Sequence, residues 1–259
     1  MKNLYTWPLM ATLLLLAVNL GANQNHKTRP GNSPKPYEAE LELTYNGKLQ
    51  SRPVARLEFL GNDRFRYTLS ANGDKGLARL ARARDTEMGE FFWNRGKPQP
   101  LIFQRQLKYL GIKDNWFAAF DWQTMQIVIR HNDETFDLDL KPRTLDPITF
   151  LFSMQRAVAN GKTDFHFPFL DKDEIEQKRF RLSSRENLQT ALGCLPTIKI
   201  ERVQKKPGKF QHHWLAPDFD YIVIRTETGK TDKSRVRLEL KKLTYQGQQV
   251  ETRDRCKST

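Results

Sequence analysis

From Tyr37 onward the chain alternates. Tyr37, Ala39, Leu41, Leu43 and Tyr45 share one parity, Glu38, Glu40, Glu42 and Thr44 the other, and Asn46-Gly47 closes the run. A period of two puts the apolar set on one face, so this is a half-buried antiparallel strand ending in a tight turn. The pattern recurs in Ala55, Leu57 and Phe59, in Phe65, Tyr67 and Leu69, and in Phe136, Leu138 and Leu140. Near the C-terminus it returns in Ile198 and Ile200, then in Val236, Leu238 and Leu240. These segments predict an all-β, mainly antiparallel fold, arranged as a single curved sheet or an open β-barrel.

The last long segment changes parity, from Leu240 to Leu243 and Tyr245. A strand can do this without burying lysine if one residue bulges out, which predicts a bulge at Lys241 or Lys242. One covering helix is expected near residues 146–160. Asp146 suits an N-cap and Pro147 the first helical position, Ile148, Leu151, Phe152 and Val158 recur at helical spacing, and Asn160-Gly161 is a stop. The stretch LARLARAR, residues 77–84, is read as a strand from its place among strands.

The first 22 residues have another pattern. Lys2 is followed by an apolar run from Leu9 to Val18 and then by Asn19-Leu20-Gly21-Ala22. The run is too short to span a hydrocarbon core of roughly 30 Å, and small residues follow it, so residues 1–22 read as a secretory signal peptide, with an uncleaved anchor as the alternative. Residues 23–36 hold three prolines and a glycine and read as a flexible linker. Residues 37–256 then form a single β domain, since no composition break or internal repeat divides them.

Export changes the meaning of charge and cysteine. The chain has 259 residues and 43 Lys+Arg against 30 Asp+Glu, a net charge of +13. Loss of residues 1–22 removes one lysine and no acid, leaving +12. In the cytosol such an excess would suggest nucleic acid. Outside it, nucleic acid is excluded, and the remaining polyanions are phosphorylated lipid head groups and acidic glycans. The basic residues singled out are Arg79, Arg82, Arg84, Lys205, Lys206, Lys209, Arg235, Arg237, Lys241, Lys242, Arg253, Arg255 and Lys257. A mean hydropathy of −0.68 is what alternating strands give, since every second residue faces water. In an oxidising compartment Cys194 and Cys256, the two cysteines of the chain, pair as a disulfide. The alternative is a buried Cys194 and a free thiol near the end.

Catalytic signals are absent. No G-x-S-x-G, glycine-rich phosphate loop or dinucleotide fingerprint occurs, so no catalytic residue, cofactor or metal ligand is assigned and the protein is read as a non-enzyme. His212 and His213 would point to opposite faces of a strand, with His213 at a half-exposed position. The acidic run Asp171, Asp173, Glu174 and Glu176 lacks the glycine of a calcium loop and reads as a solvated turn.

The order of several motifs resembles the bacterial exported proteins grouped as domain of unknown function 3108. These are the strand Tyr37 to Tyr45 with Gly47, Phe91-Phe92-Trp93 followed by Pro98 and Pro100, and the Phe120-Asp121-Trp122 turn. They continue with Asp146-Pro147-Ile148, and with Trp214-Leu215-Ala216-Pro217 leading to Tyr221. Ile222-Val223-Ile224 departs from the pattern where a proline would follow Tyr221. The resemblance implies an antiparallel β fold in the bacterial envelope, similar to open barrels that hold lipids, with no known activity.

The expected role is therefore a periplasmic, non-catalytic module binding a lipid or an anionic envelope glycolipid, not integral to the membrane once the signal is cleaved. The acyl chain would lie on the concave face among aromatics such as Phe59, Phe65, Tyr67, Trp93 and Trp122. The alternative is a structural component that engages an envelope protein, and an envelope hydrolase comes third.

Overall fold

The computed structural model describes residues 33–204, 207–231 and 233–257. The expected signal peptide, the linker up to residue 32, and Lys205 and Lys206 lie outside the described residues.

The N-terminal arm contains β1 (Tyr37–Tyr45), β2 (Lys48–Ser51), β3 (Val54–Gly61), β4 (Arg64–Asn72), the short helix α1 (Gly76–Leu80), β5 (Arg84–Asn94), β6 (Lys97–Tyr109), β7 (Ile112–Asp121), β8 (Gln126–His131) and β9 (Glu134–Asp139). Helix α2 (Pro147–Ala159) follows. The C-terminal arm contains β10 (Asp164–Asp171), β11 (Glu174–Thr190), β12 (Gly193–Arg202), β13 (Lys209–Ala216), β14 (Ile222–Lys230), β15 (Ser234–Tyr245) and the short β16 (Gln248–Gln249).

The strands form one antiparallel sheet in the order β10-β11-β12-β13-β14-β15-β1-β3-β4-β5-β6-β7-β8-β9, with β2 and β16 paired to β1 and β15. Each arm is a meander of sequence neighbours, and the two arms meet where β15 pairs with β1. The sheet does not close, because β9 and β10 are its free ends. The chain between them crosses the opening. Leu145 N–H donates to Pro168 O and Leu170 N–H to Leu145 O, both at 2.9 Å, so this crossing docks on β10.

Helix α2 touches β5 and β6 of one arm and β10 and β14 of the other. Strands that far apart in the sheet reach one helix only if the sheet curls around it. Its start is fixed locally. Asp146 Oδ1 accepts from Ile148 N at 2.7 Å and Thr149 N at 3.0 Å, while Asp146 N–H donates to Thr149 Oγ1 at 3.0 Å, a reciprocal capping box. The apolar surface is wider than the four positions read from spacing. Ile148 and Phe152 enter the larger core, which runs through both arms and includes Phe65, Tyr67 and Phe91, whereas Phe150, Met154, Ala157 and Val158 enter a second core with Phe165, Phe169, Phe180 and Ile200. Buried on both flanks, the helix covers the concave side of the curled sheet, as expected for residues 146–160.

The parity change in β15 is a bulge. Glu40 pairs with Lys242 and Leu41 with Leu240, which leaves Lys241 as the extra residue. Both lysines stay outside, Lys241 Nζ at 3.0 Å from Glu42 and Lys242 Nζ at 3.1 Å from Glu40.

The stretch 77–84 corrects the reading as a strand. Residues 76–80 form α1, a turn follows, and β5 begins only at Arg84. Leucines and alanines at spacings of three and four do not alternate, and Gln50 anchors the turn of helix instead. Its backbone O accepts from Asp74 N–H at 3.0 Å and its side-chain Oε1 from Ala78 N–H at 3.4 Å.

Candidate functional site

Where the sheet is open, a cleft of about 610 Å3 lies beside α2. Its walls come from the β5–β6 turn, residues 142–145, the face of α2 carrying Ser153, Arg156, Ala157 and Asn160, and β10 from Asp164 to Pro168. That volume suits a small organic ligand. Pro98, Leu145, Ala157 and Phe165 form a buried apolar floor, with Trp122 and Phe167 half-buried beside it. Trp122 is held by its indole N–H, which donates to Pro100 O at 2.7 Å.

The rim is cationic. Lys97, Arg143 and Lys162 are exposed and Arg156 is half-buried, and none of the four forms an ion pair among the described residues. The acid of the lining, Asp164, is already engaged. Arg179 donates to it at 2.6 and 2.9 Å, and these hydrogen bonds hold its carboxyl below the usual carboxylate range. An apolar floor under four uncompensated cations can take an acyl or ring moiety below and a phosphate or carboxylate above.

The aromatics expected to line a hollow interior are mostly core. Phe65 stacks on Phe91 with centroids 5.6 Å apart, and Phe91 and Tyr67 pack against Phe152 of α2 at 4.9 and 5.9 Å. Trp93 is buried and Phe59 packs at the edge of the same cluster. Trp122 alone of the five reaches the cleft. The concave face is thus occupied by α2, which apolar alternation could not reveal because it does not say what covers a face.

Several basic residues singled out earlier are compensated. Arg235 and Arg237 reach Glu227 at 3.8 and 2.7 Å, and Arg253 reaches Asp218 at 2.5 Å. The cleft's cations were not among them. Arg143 and Lys162 sit in connections and Arg156 on a helix, where no periodicity brings them together.

The histidines face opposite ways, but His213 is buried rather than half-exposed. It lies against Phe150 of α2, so the helix covers it. Its Nδ1 is 3.0 Å from Thr226 Oγ1 and its Nε2 3.1 Å from Gln211 Nε2, which fits a neutral ring donating to Thr226 and accepting from Gln211. Burial, with His212 beside it, pushes its pKa down to about 3. Burial also pushes Asp146 up to about 6, against the pull of its capping hydrogen bonds. The acidic run is a hairpin turn in which Asp171 and Glu176 both sit 3.2 Å from Lys178 Nζ. Among the described residues no group of three or more His, Cys, Asp or Glu gathers closely enough to hold a metal ion.

The C-terminal segment returns to the start of β12. Arg253 N–H donates to Leu192 O at 2.9 Å and Cys194 N–H to Asp254 O at 2.8 Å, and a disulfide joins Cys194 to Cys256. Gly193, at φ +89°, makes room, since a Cβ there would collide with the Arg253 carbonyl.

A similar fold occurs in the crystal structure of a β-barrel-like protein of the domain of unknown function DUF1849 from Brucella abortus. It is 12% identical, with a TM-score of 0.54 over 82% of this chain and 98% of that one. A crystal structure of a protein from Parabacteroides distasonis shares 10% identity over 82% of this chain and 98% of that one, with a TM-score of 0.30. No curated protein sequence matches. Among the described residues no helix is long and apolar enough to cross a membrane. The family described as protein of unknown function (DUF3108) matches residues 44–241, most of the sheet and all of α2, and the chain belongs to that family.

Proposed function

We propose that this is an exported protein of the bacterial envelope that binds an amphipathic anion, a lipid or glycolipid with a phosphate or carboxylate head group, in the cleft beside α2. One observation carries the reading. Lys97, Arg143, Arg156 and Lys162, without ion pairs of their own, surround an apolar floor built by Pro98, Leu145, Ala157 and Phe165. Four cations brought together at one opening repel one another, and an anionic ligand relieves that repulsion. The reading requires no chemistry at the site. The apolar run at residues 9–18, with Ala22 behind it, supports export.

Extraction of the purified protein with organic solvent, followed by mass spectrometry, tests the proposal. An acyl-chain anion in stoichiometric amount supports it. A clean extract, together with no binding of added lysophosphatidylglycerol, overturns it.

A further inference from the structure

At the opposite end of β6 the surface has another character. The strand is 13 residues long, roughly 40 Å at about 3.3 Å per residue, so the β6–β7 turn is far from the cleft. Leu110 and Ile112, at this turn, are 65% and 68% exposed. Leu80, at the end of α1, is 79% exposed. The two features are adjacent, because Leu110 N–H donates to Ala81 O at 3.0 Å. The hairpin also overhangs its neighbour, since β8 pairs with β7 only from Trp116 onward. Three exposed aliphatic side chains therefore gather at this tip, with Ile112 also at the edge of a shallow depression shared with Lys113, Asp114 and Lys172.

The turn itself argues that this exposure is not incidental. Four turns of the described residues share one shape, a left-handed residue followed by a left-handed glycine: Asn46-Gly47, Arg95-Gly96, Leu110-Gly111 and Gln246-Gly247. The first position favours asparagine, and three of the four are polar. Leu110 holds a strained φ of +50° while exposing its side chain to water.

The tip is ringed by cations. Arg84 pairs across strands with Lys108, and Lys108 with Lys113, so three positive charges stand side by side. Like charges directly opposite one another destabilise a sheet. Arg79 and Arg82 add two more from α1 and its turn. All five are exposed, and none forms an ion pair among the described residues.

We propose that this tip docks on an anionic phospholipid bilayer, with Leu80, Leu110 and Ile112 entering the head-group and acyl boundary and the five cations meeting lipid phosphates. A bilayer surface supplies both parts at once, an anionic plane and an apolar layer just beneath it. A protein partner would need an acidic rim around an apolar socket, and binding that does not depend on anionic lipid is the outcome that would favour it. The docking is independent of the cleft and stands if the cleft is empty.

Co-sedimentation of the full chain with phosphatidylglycerol–phosphatidylcholine vesicles, against pure phosphatidylcholine, tests it. The wild type is expected to bind the anionic vesicles, and Lys108→Gln with Lys113→Gln to weaken binding roughly fivefold per lysine. Leu110→Asn separates docking from folding, because asparagine suits the turn. It should leave thermal stability equal or higher while weakening vesicle binding. A fluorophore on Leu110→Cys should report an apolar environment only with anionic vesicles. Unchanged binding by Leu110→Asn and by the lysine variant, or a fluorophore that stays in water, overturns the proposal.

Discussion

Ile148 rests on Gly89. A Cβ at residue 89 would stand 2.9 Å from Ile148 Cδ1 and 3.2 Å from its Cβ, so the absence of a side chain on β5 lets the first turn of α2 sit down against the sheet. Through this contact the helix takes its place between the two cores, and Arg156, with the buried Ala157 beneath it, forms part of a wall of the cleft. Gly89→Val overfills that contact and should cost about 1–3 kcal/mol. Urea denaturation would show it as a lower midpoint with an unchanged slope, and a midpoint equal to the wild type would mean that the helix does not depend on Gly89.

His213 should make the fold acid-sensitive. Its folded pKa of about 3 lies below the ordinary value of 6.5, so the unfolded chain takes up the proton first. Its contribution is therefore present above about pH 6.5 and lost as pH falls toward 3, by up to about 1.4 kcal/mol per pH unit. Asp146 has the opposite sign. Its raised pKa gives stability that is full below about 3.8 and lost as pH rises through about 6. Comparing the wild type with His213→Gln across pH 7 to 4 isolates the histidine. The variant, less stable than the wild type at pH 7, should lose less on acidification, and parallel curves would show that His213 is not buried neutral.

The disulfide between Cys194 and Cys256 closes a loop of sequence separation 62, worth roughly 4 kcal/mol in the chain-entropy account. Cys256→Ser should lower the denaturation midpoint and open residues 251–257 to proteolysis, as Arg253 and Asp254 lose a covalent neighbour to their backbone hydrogen bonds. Thiol titration of the denatured wild type should find none free, and two free thiols would refute the pairing.

The sheet was legible in the sequence wherever one face is wet. Tyr37 to Tyr45 alternates because the sheet buries one side, and Lys241 had to bulge because Leu240 and Leu243 both face inward. The start of α2 was legible because capping is local to Asp146, Pro147 and Thr149. Its location was not. Phe150 and Met154 look like extra apolar residues until β10 and β11 are seen to cover them, and only long-range packing decides that. The cleft was hidden for the same reason, since Lys97, Arg143, Arg156 and Lys162 are scattered between residues 97 and 162 and meet only because the sheet stays open between β9 and β10. The tip was half legible, as Arg79, Arg82 and Arg84 stood out by charge while Leu110 did not.

Native mass spectrometry of the protein with lysophosphatidylglycerol, for the wild type and for Arg143→Glu combined with Arg156→Glu, tests the cleft most directly. Both arginines have exposed or half-exposed side chains and no ion pair among the described residues, so the variant should fold. The wild type is predicted to carry one ligand per chain and the variant to carry none. Equal occupancy in the two proteins, or no ligand on either, would contradict a binding site there.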